Sequence, residues 1–148
     1  MRTFLTGAAL ALAAGPLAAA ELETRQAQGS VAEVADRLEA AVRGAGAEVF
    51  ARVDHGAGAA SVDMQLPDSQ LLIFGNPQLG TPVMQEDIRA GLVLPLKMLV
   101  YADGDGGTRI AWREVEETVD DFDVDDDLDV LEKMEAALEK FADTAASP

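Results

Sequence analysis

Five polar residues in this chain carry side chains that could bind a small molecule. Asp54 and His55 close one predicted strand, and Asn76 follows the next. Lys97 and Tyr101 lie four residues apart in a later predicted strand, so they share one of its faces and add a cation and a phenol. Because small-molecule sites are often built from a few convergent polar groups, we expect Asp54, His55, Asn76, Lys97 and Tyr101 to form a ligand pocket at neighbouring strand ends.

These residues also have a structural explanation that needs no ligand. Asp and Asn side chains accept hydrogen bonds from backbone amides close to them in sequence, and Asn76 precedes a proline, which is common in turns. Asp54, His55 and Asn76 would then order turns. The sequence leaves both interpretations open.

Catalytic chemistry has little support in the sequence. His55 is the sole histidine and there is no cysteine, which excludes His-His metal sites within one chain and thiol catalysis. A histidine-supported serine triad could only be centred on His55, and neither a nucleophile elbow nor a phosphate-binding glycine loop is present. We therefore expect a non-catalytic protein. The alternative is an enzyme that uses His55 as a general acid or base.

Two metal sites are alternatives to the pocket. Acidic residues occupy the ligand positions of a calcium-binding EF-hand loop: Asp121, Asp123, Asp125, Asp127, Asp129 and Glu132. However, Asp126 stands where that loop needs glycine, and the residues from 114 to 119 follow a strand too closely to give a convincing entering helix. A solvated acidic loop is the simpler explanation. The sequence otherwise predicts no cofactor.

Copper is the second metal alternative. His55 with Met64, Met84 or Met98 offers the soft ligands that copper(I) prefers. The competing explanation is that each methionine fills the apolar core, since each stands among Leu and Val.

The elements that must position these residues can be predicted from capping and periodicity. Ser30 and Glu33 form a capping box before a helix over 31–43, and a last helix begins near the acidic run at 125–127. Alternating or continuous apolar runs predict strands at 22–27, 48–54, 71–74, 96–102 and 108–113. The order β-α-β-β-β-β-α predicts a single α+β domain, with an antiparallel sheet of four to five strands and both long helices on one face. Residues 57–66 and 80–91 are left for short helices or loops.

The N-terminus resembles an export sequence. Arg2 precedes the apolar run 4–14, and Ala18 to Ala20 supply the small residues that signal peptidase requires. We therefore expect residues 1–20 to be a signal peptide and 21–148 to be the mature domain, periplasmic or secreted and without a membrane segment. A retained transmembrane anchor is the alternative, although the apolar run is short for a bilayer.

The composition of the chain limits the classes of partner that it can bind. The 148 residues include 27 acidic and 11 basic side chains, for a formal charge of −16, which disfavours nucleic acid because phosphate backbones carry the same sign. A sheet covered on one side leaves an exposed face and free edges, so a homodimer is expected, with an apolar interface away from the acidic C-terminal region. A small molecule or another protein is the remaining partner class.

Four segments, in this order and spacing, resemble the DUF302 family: Val53-Asp54-His55, Phe74-Gly75-Asn76-Pro77, Gly80-Thr81-Pro82-Val83-Met84 and Leu94-Pro95-Leu96-Lys97-Met98-Leu99-Val100. The resemblance covers roughly residues 29 to 115. It implies a small α+β domain similar to the TATA-binding-protein-like βαβ4α arrangement, often dimeric. It implies no activity, so the expected function is an exported binding or interaction module.

Overall fold

The computed structural model describes residues 22–148. The strands are β1 (Leu22–Ala27), β2 (Glu48–Asp54), β3 (Ser69–Gly75), β4 (Leu96–Ala102) and β5 (Thr108–Arg113). The helices are α1 (Val31–Gly44), α2 (His55–Ala60), α3 (Pro77–Glu86), α4 (Val115–Val119) and α5 (Asp129–Ala146), with a 3-10 helix at Ile88–Leu92. The predicted signal peptide and its cleavage point lie outside the described residues.

The five strands form one antiparallel sheet in the order β1-β5-β4-β3-β2. β1 pairs with β5, which places the first and last strands of the chain side by side and leaves β1 and β2 as the edges. The predicted α+β class and antiparallel sheet are therefore confirmed, and the weakly patterned first strand is a full member of the sheet.

The core lies between the sheet and the two long helices. Alternation along the strands turns one set of side chains inward: Leu72, Phe74, Met98, Val100, Ile110 and Trp112. Helix α1 contributes Val34, Leu38 and Val42 to the same core cluster, and α5 contributes residues at helical spacing such as Leu138 and Phe141. Phe74 and Phe141 meet edge to face with ring centroids 5.8 Å apart, a favourable geometry for aromatic pairs. The other face, which carries Val53, Leu71, Ile73 and Leu99, is not covered by α1 or α5; we call it the open face.

Helix α1 begins where the capping box predicts. The Ser30 hydroxyl accepts a hydrogen bond from the Glu33 amide at 3.3 Å, and the Glu33 carboxylate accepts one from the Ser30 amide at 2.8 Å. These bonds satisfy amide groups that a helix N-terminus otherwise leaves unpaired. The Ser30 hydroxyl also donates to the Glu33 carboxylate at 2.9 Å, and the bonds that this carboxylate accepts from the Ser30 amide and hydroxyl lower the pKa of Glu33 below its usual range.

The segments left between the main elements form short helices. α2 begins at His55 and α3 at Pro77, both earlier than the predicted stretches 57–66 and 80–91, because Asp54 and Asn76 cap them directly. The sequence predicted no convincing helix entering the acidic run, and the structure has a five-residue helix there, α4. A carboxylate from α5 supports its first turn, where the Val115 amide donates to Glu135 at 2.7 Å. From Leu22 to Pro148, no helix combines the length and apolarity needed to cross a bilayer.

Candidate functional site

The sheet register separates the residues that we expected to meet. In the β2–β3 ladder, Asp54 is opposite Gln70, whereas Glu48 is opposite Gly75. Asp54 and His55 therefore lie at one end of the ladder and Asn76 at the other, about 20 Å apart at the usual rise per residue of a strand. The expectation of neighbouring strand ends is wrong, because adjacent antiparallel strands run in opposite directions and so finish at opposite ends of their ladder.

Lys97 and Tyr101 share the open face of β4, as expected, but they belong to different ends of the sheet. Lys97 pairs with Ile73, close to the Asn76 end, and Tyr101 pairs with Ser69, close to the Asp54 end. Asn76 lines one cavity and Lys97 lines another, whereas His55 lines neither of these two cavities. The role of each residue in ligand binding stays a prediction.

Asp54 and Asn76 act locally as helix caps. The Asp54 carboxylate accepts hydrogen bonds from the Ala57 amide at 2.8 Å and from the Gln70 side chain at 3.2 Å. The Asn76 side-chain oxygen accepts from the Gln78 amide at 2.9 Å. His55 is an exposed residue in the first turn of α2. The structural explanation considered for the sequence therefore holds for Asp54 and Asn76.

An apolar cavity of about 320 Å³ opens at the Asn76 end of the sheet. The end of β3, the start of β4, the first turns of α3 and the middle of α5 form its walls. Its lining is apolar apart from two polar side chains, those of Asn76 and Thr81: Ala45, Ala47, Phe50, Phe74, Gly75, Asn76, Pro77, Leu79, Gly80, Thr81, Met84, Leu94, Pro95, Leu96, Met134, Ala137, Leu138 and Phe141. Of the five predicted site residues, only Asn76 lines this cavity.

Sequence reasoning missed most of this lining. Phe50 belongs to a strand but lies at a break in the β2–β3 register between Val49 and Ala51, and it is 51% exposed. Local periodicity gives no indication that a bulge will turn this ring toward a cavity. The motifs of the family resemblance did hold the information, since three of its four segments supply lining residues: those at 74–77, 80–84 and 94–100.

The acidic residues of the proposed calcium loop do not converge. Asp121, Asp123, Asp125, Asp127 and Asp129 are exposed, and the Asp125 carboxylate accepts from the Asp127 amide at 3.0 Å. Over residues 22–148, no group of three or more acidic or histidine side chains is placed to hold a metal ion. Calcium binding stays a prediction that a melting curve with and without calcium tests.

The residues proposed for copper are also dispersed. Met98 is fully buried in the core, whereas Met84 lines the apolar cavity at the end of the sheet opposite His55. Met64 is 66% exposed, so the explanation that every methionine fills the core is wrong for Met64. Copper binding likewise stays a prediction.

Comparisons with known proteins identify related sequences and a related fold. A family model described as "Domain of unknown function DUF302" matches residues 23–141. A crystal structure of an uncharacterized conserved DUF302 protein from Bacillus stearothermophilus superimposes with a TM-score of 0.76 at 22% identity, over 84% of this chain and 97% of that one.

Among curated proteins, the chain is 47% identical over 85 residues to the fluoride-specific ion channel FluC 1 of Brucella suis and to FluC 1 of Brucella abortus. The match covers 57% of this chain but 34% and 32% of those relatives. The chain thus spans about a third of the length of the curated relatives that it matches, and channel activity is a property named for those whole proteins.

Proposed function

This chain belongs to the DUF302 family, and from the geometry of its cavity we propose that it is an exported, non-catalytic module that binds an apolar small molecule. The observation that carries the proposal is the apolar cavity beside Asn76. Its volume of about 320 Å³ falls at the lower end of the range that ligand pockets occupy. Burial of an apolar ligand there would remove apolar surface from water on both partners.

The lining limits the chemistry of the ligand. No charged side chain borders the cavity, so a charged ligand would lose its hydration without gaining an ion pair. The Asn76 oxygen is used by the Gln78 amide, whereas its amide group donates no hydrogen bond to another residue of 22–148. That group can donate to one ligand oxygen. The expected ligand is therefore uncharged and largely apolar, with a single carbonyl, ether or hydroxyl acceptor.

The family motifs support this placement. Three of the four segments that carry the resemblance meet around the cavity although they are separated along the chain. The fourth segment, which contains His55, lies at the other end of the sheet. The segments 74–77, 80–84 and 94–96 occur together in the family motifs. A shared binding role explains this better than separate roles in turns do.

A glycine in the cavity wall provides the test of ligand binding. Gly80 lies within α3, and a Cβ added there would come no closer than 3.9 Å to Leu94, so Gly80→Leu can fill the cavity without backbone strain. Gly58→Leu is the matched control, because Gly58 is also helical, has open space around it and lies outside the cavity. The probe is N-phenyl-1-naphthylamine, an uncharged dye that fluoresces in apolar surroundings.

We expect the dye to bind the wild type and the Gly58→Leu variant equally and to bind Gly80→Leu at least about tenfold more weakly, a difference of roughly 1.4 kcal/mol. Native mass spectrometry of protein isolated from the exported fraction of its host should show a retained small molecule that Gly80→Leu loses. Equal dye affinity for all three proteins would refute the cavity as the site.

Export is the part of the proposal that rests on residues 1–20. The same mass spectrum tests it, because cleavage after Ala20 leaves a chain from Glu21 to Pro148. Recovery of the intact 148-residue mass from the exported fraction would contradict cleavage and favour a retained anchor.

The open face supports a homodimer as the partner arrangement. Val53 is exposed and its neighbours Leu71, Ile73 and Leu99 are only partly buried, which leaves an apolar surface on a protein of high charge. Apolar patches of this kind are commonly covered by association. The acidic run lies at the start of α5, which packs against the opposite face, so a second copy could approach the open face with less repulsion.

A further inference from the structure

A second cavity, of about 350 Å³, lies against the open face near the start of β4 and the end of β5. It shares the residues Leu96 and Leu138 with the first cavity but differs from it in charge. Lys97 and Arg113 both line it, together with the sole tryptophan, Trp112. Its chemistry is therefore distinct from that of the uncharged cavity beside Asn76.

The two cations border the same cavity from adjacent strands, β4 and β5. The β4–β5 ladder ends at the pair of Leu99 and Ala111, so Lys97 and Arg113 each lie two residues beyond the last paired residue of their strand. Like charges that border one cavity repel each other, and a bound anion would offset that repulsion. Neither residue forms an ion pair with a carboxylate of the described chain, although the protein carries 27 acidic residues.

Hydrogen-bond donors also remain free around the cavity. The Lys97 ammonium donates to the carbonyl oxygens of Val93 at 2.7 Å and Pro95 at 3.1 Å, which leaves one of its three donors unused. The indole N–H of Trp112 donates no hydrogen bond within residues 22–148, although this side chain is only 3% exposed. A buried donor without an acceptor costs free energy.

The remaining walls are apolar and include Leu22, Leu71, Leu92 and Leu99. From the cation pair, the unpaired donors and these walls, we propose that the second cavity binds a small molecule with one carboxylate on an apolar body. The carboxylate would lie between Lys97 and Arg113, and the apolar body would lie against the leucines. A single negative charge is favoured over a phosphate dianion, because the net charge of −16 repels anions in proportion to their charge.

Trp112 makes the site directly measurable, since its fluorescence is the only tryptophan emission of the chain. The probes are octanoate, octan-1-ol with the same chain but no charge, and inorganic phosphate with charge but no apolar body. The key variant is Arg113→Gln, because the Arg113 side chain is exposed and forms no hydrogen bond or ion pair with another described residue. Lys97→Gln is the second variant, and Lys133→Gln, an exposed cation on α5 outside both cavities, is the matched control.

We expect octanoate to bind at least about tenfold more tightly than octan-1-ol, and Arg113→Gln and Lys97→Gln each to remove most of that preference. Lys133→Gln should leave it unchanged, and phosphate should bind weakly to all four proteins. Equal affinity for octanoate and octan-1-ol would overturn the proposal, and so would an unchanged octanoate affinity in Arg113→Gln. The Gly80→Leu variant separates the two sites, because it should weaken dye binding in the first cavity at least about tenfold and leave the octanoate preference intact.

Discussion

Asn76 and Asp54 show how one side chain can satisfy a local requirement and still border a site. Each ends a strand and begins a helix, and each accepts a backbone amide hydrogen bond from the first turn of that helix. These bonds account for an acidic or amide residue at both positions without any ligand. Asn76 differs from Asp54 in that it also lines the apolar cavity, so its amide group is available for a second role.

Replacement of Asn76 separates its two roles. Asn76→Ala should lower the free energy of unfolding by about 1 kcal/mol, the usual cost of losing a helix cap, and Asn76→Asp should restore most of this loss. Ligand binding should not recover in Asn76→Asp. This variant retains the capping acceptor, but it brings a negative charge to the cavity and lacks the amide donor. Urea unfolding and dye titration of the same proteins measure the two effects. A stability loss in Asn76→Asp as large as that in Asn76→Ala would contradict the capping role.

Asp87 has a carboxylate whose ionised form the fold stabilises. Its carboxylate is 7% exposed and accepts hydrogen bonds from the Arg89 side chain, the Arg89 amide and the Asp123 amide. The hydrogen bonds from the Arg89 side chain, followed by that from the Arg89 amide, hold the pKa of Asp87 far below its usual range. Through these bonds Asp87 connects the 3-10 helix to the acidic loop before α5.

This depressed pKa predicts a pH dependence of stability. A carboxylate with a lowered pKa stabilises the fold at every pH above its unfolded value of about 4, and this contribution is lost as the pH falls below that value. Asp87→Asn should therefore be less stable than the wild type at pH 7, and the difference should shrink as the pH falls from 5 toward 2. Urea unfolding at pH 7, 5 and 3 measures the difference. Asp143→Asn, which changes an exposed surface pair, is the control and should show a small difference throughout.

At the scale of elements, the C-terminal end of α5 is held by a residue of α1. The Arg37 guanidinium donates to the carbonyl of Ala145 at 2.9 Å and to that of Gln28, and the Gln28 amide donates to Ala146 at 2.8 Å. A helix leaves its last carbonyls without partners inside the helix, and a cation near them is favourable. Arg37 thus joins the end of β1, the core face of α1 and the last turn of α5.

Loss of Arg37 should loosen this junction. Arg37→Ala is expected to lower the free energy of unfolding by about 2 kcal/mol, the range for hydrogen bonds that involve a charged group. Amide hydrogen exchange should accelerate most at Gln28 and in the last turn of α5. Arg43→Ala is the control on the same helix, where Arg43 only pairs with Glu39 on the surface, and it should cost a few tenths of a kcal/mol. Similar exchange rates in the two variants would show that Arg37 does not anchor α5.

At the scale of the whole molecule, two features have opposite effects on association. One is a sheet that helices cover on one face only, and the other is a strong negative charge. The apolar open face favours association, whereas −16 charges per chain oppose the approach of a second copy. Salt shortens the distance over which charges repel each other, to about 3 Å at 1 M. It does not weaken apolar contacts. The balance between the two effects should therefore depend on ionic strength.

Sedimentation at low and high salt tests the proposed homodimer. We expect the dimer fraction to rise with salt, and Val53→Asp on the open face to shift the protein to a monomer. Leu66→Asp is the matched control, because Leu66 is also exposed but lies in the loop before β3. A monomer at both salt concentrations would refute the dimer, and equal effects of the two variants would move the interface away from the open face.

The sequence by itself determined the elements and their class. The capping box at Ser30 and Glu33 fixed the start of α1, and the apolar stripes of α1 and α5 predicted the helical side of the core. Strand periodicity predicted the strands, with β3 extending to Ser69–Gly75, and their order gave the antiparallel sheet. These features depend on interactions between residues close in sequence, so local patterns are sufficient to predict them.

The tertiary structure alone decided which residues meet. Antiparallel pairing of β2 with β3 separates His55 from Asn76, although each ends a strand, and the bulge at Phe50 turns an aromatic ring toward a cavity. The pairing of β4 with β5 brings Lys97 and Arg113, 16 positions apart in sequence, to the border of one cavity. Such contacts depend on register and on how helices pack against the sheet, and a one-residue change in register would move every side chain to the other face. Local sequence patterns carry no direct record of those choices, which is why the elements could be predicted and the cavities could not.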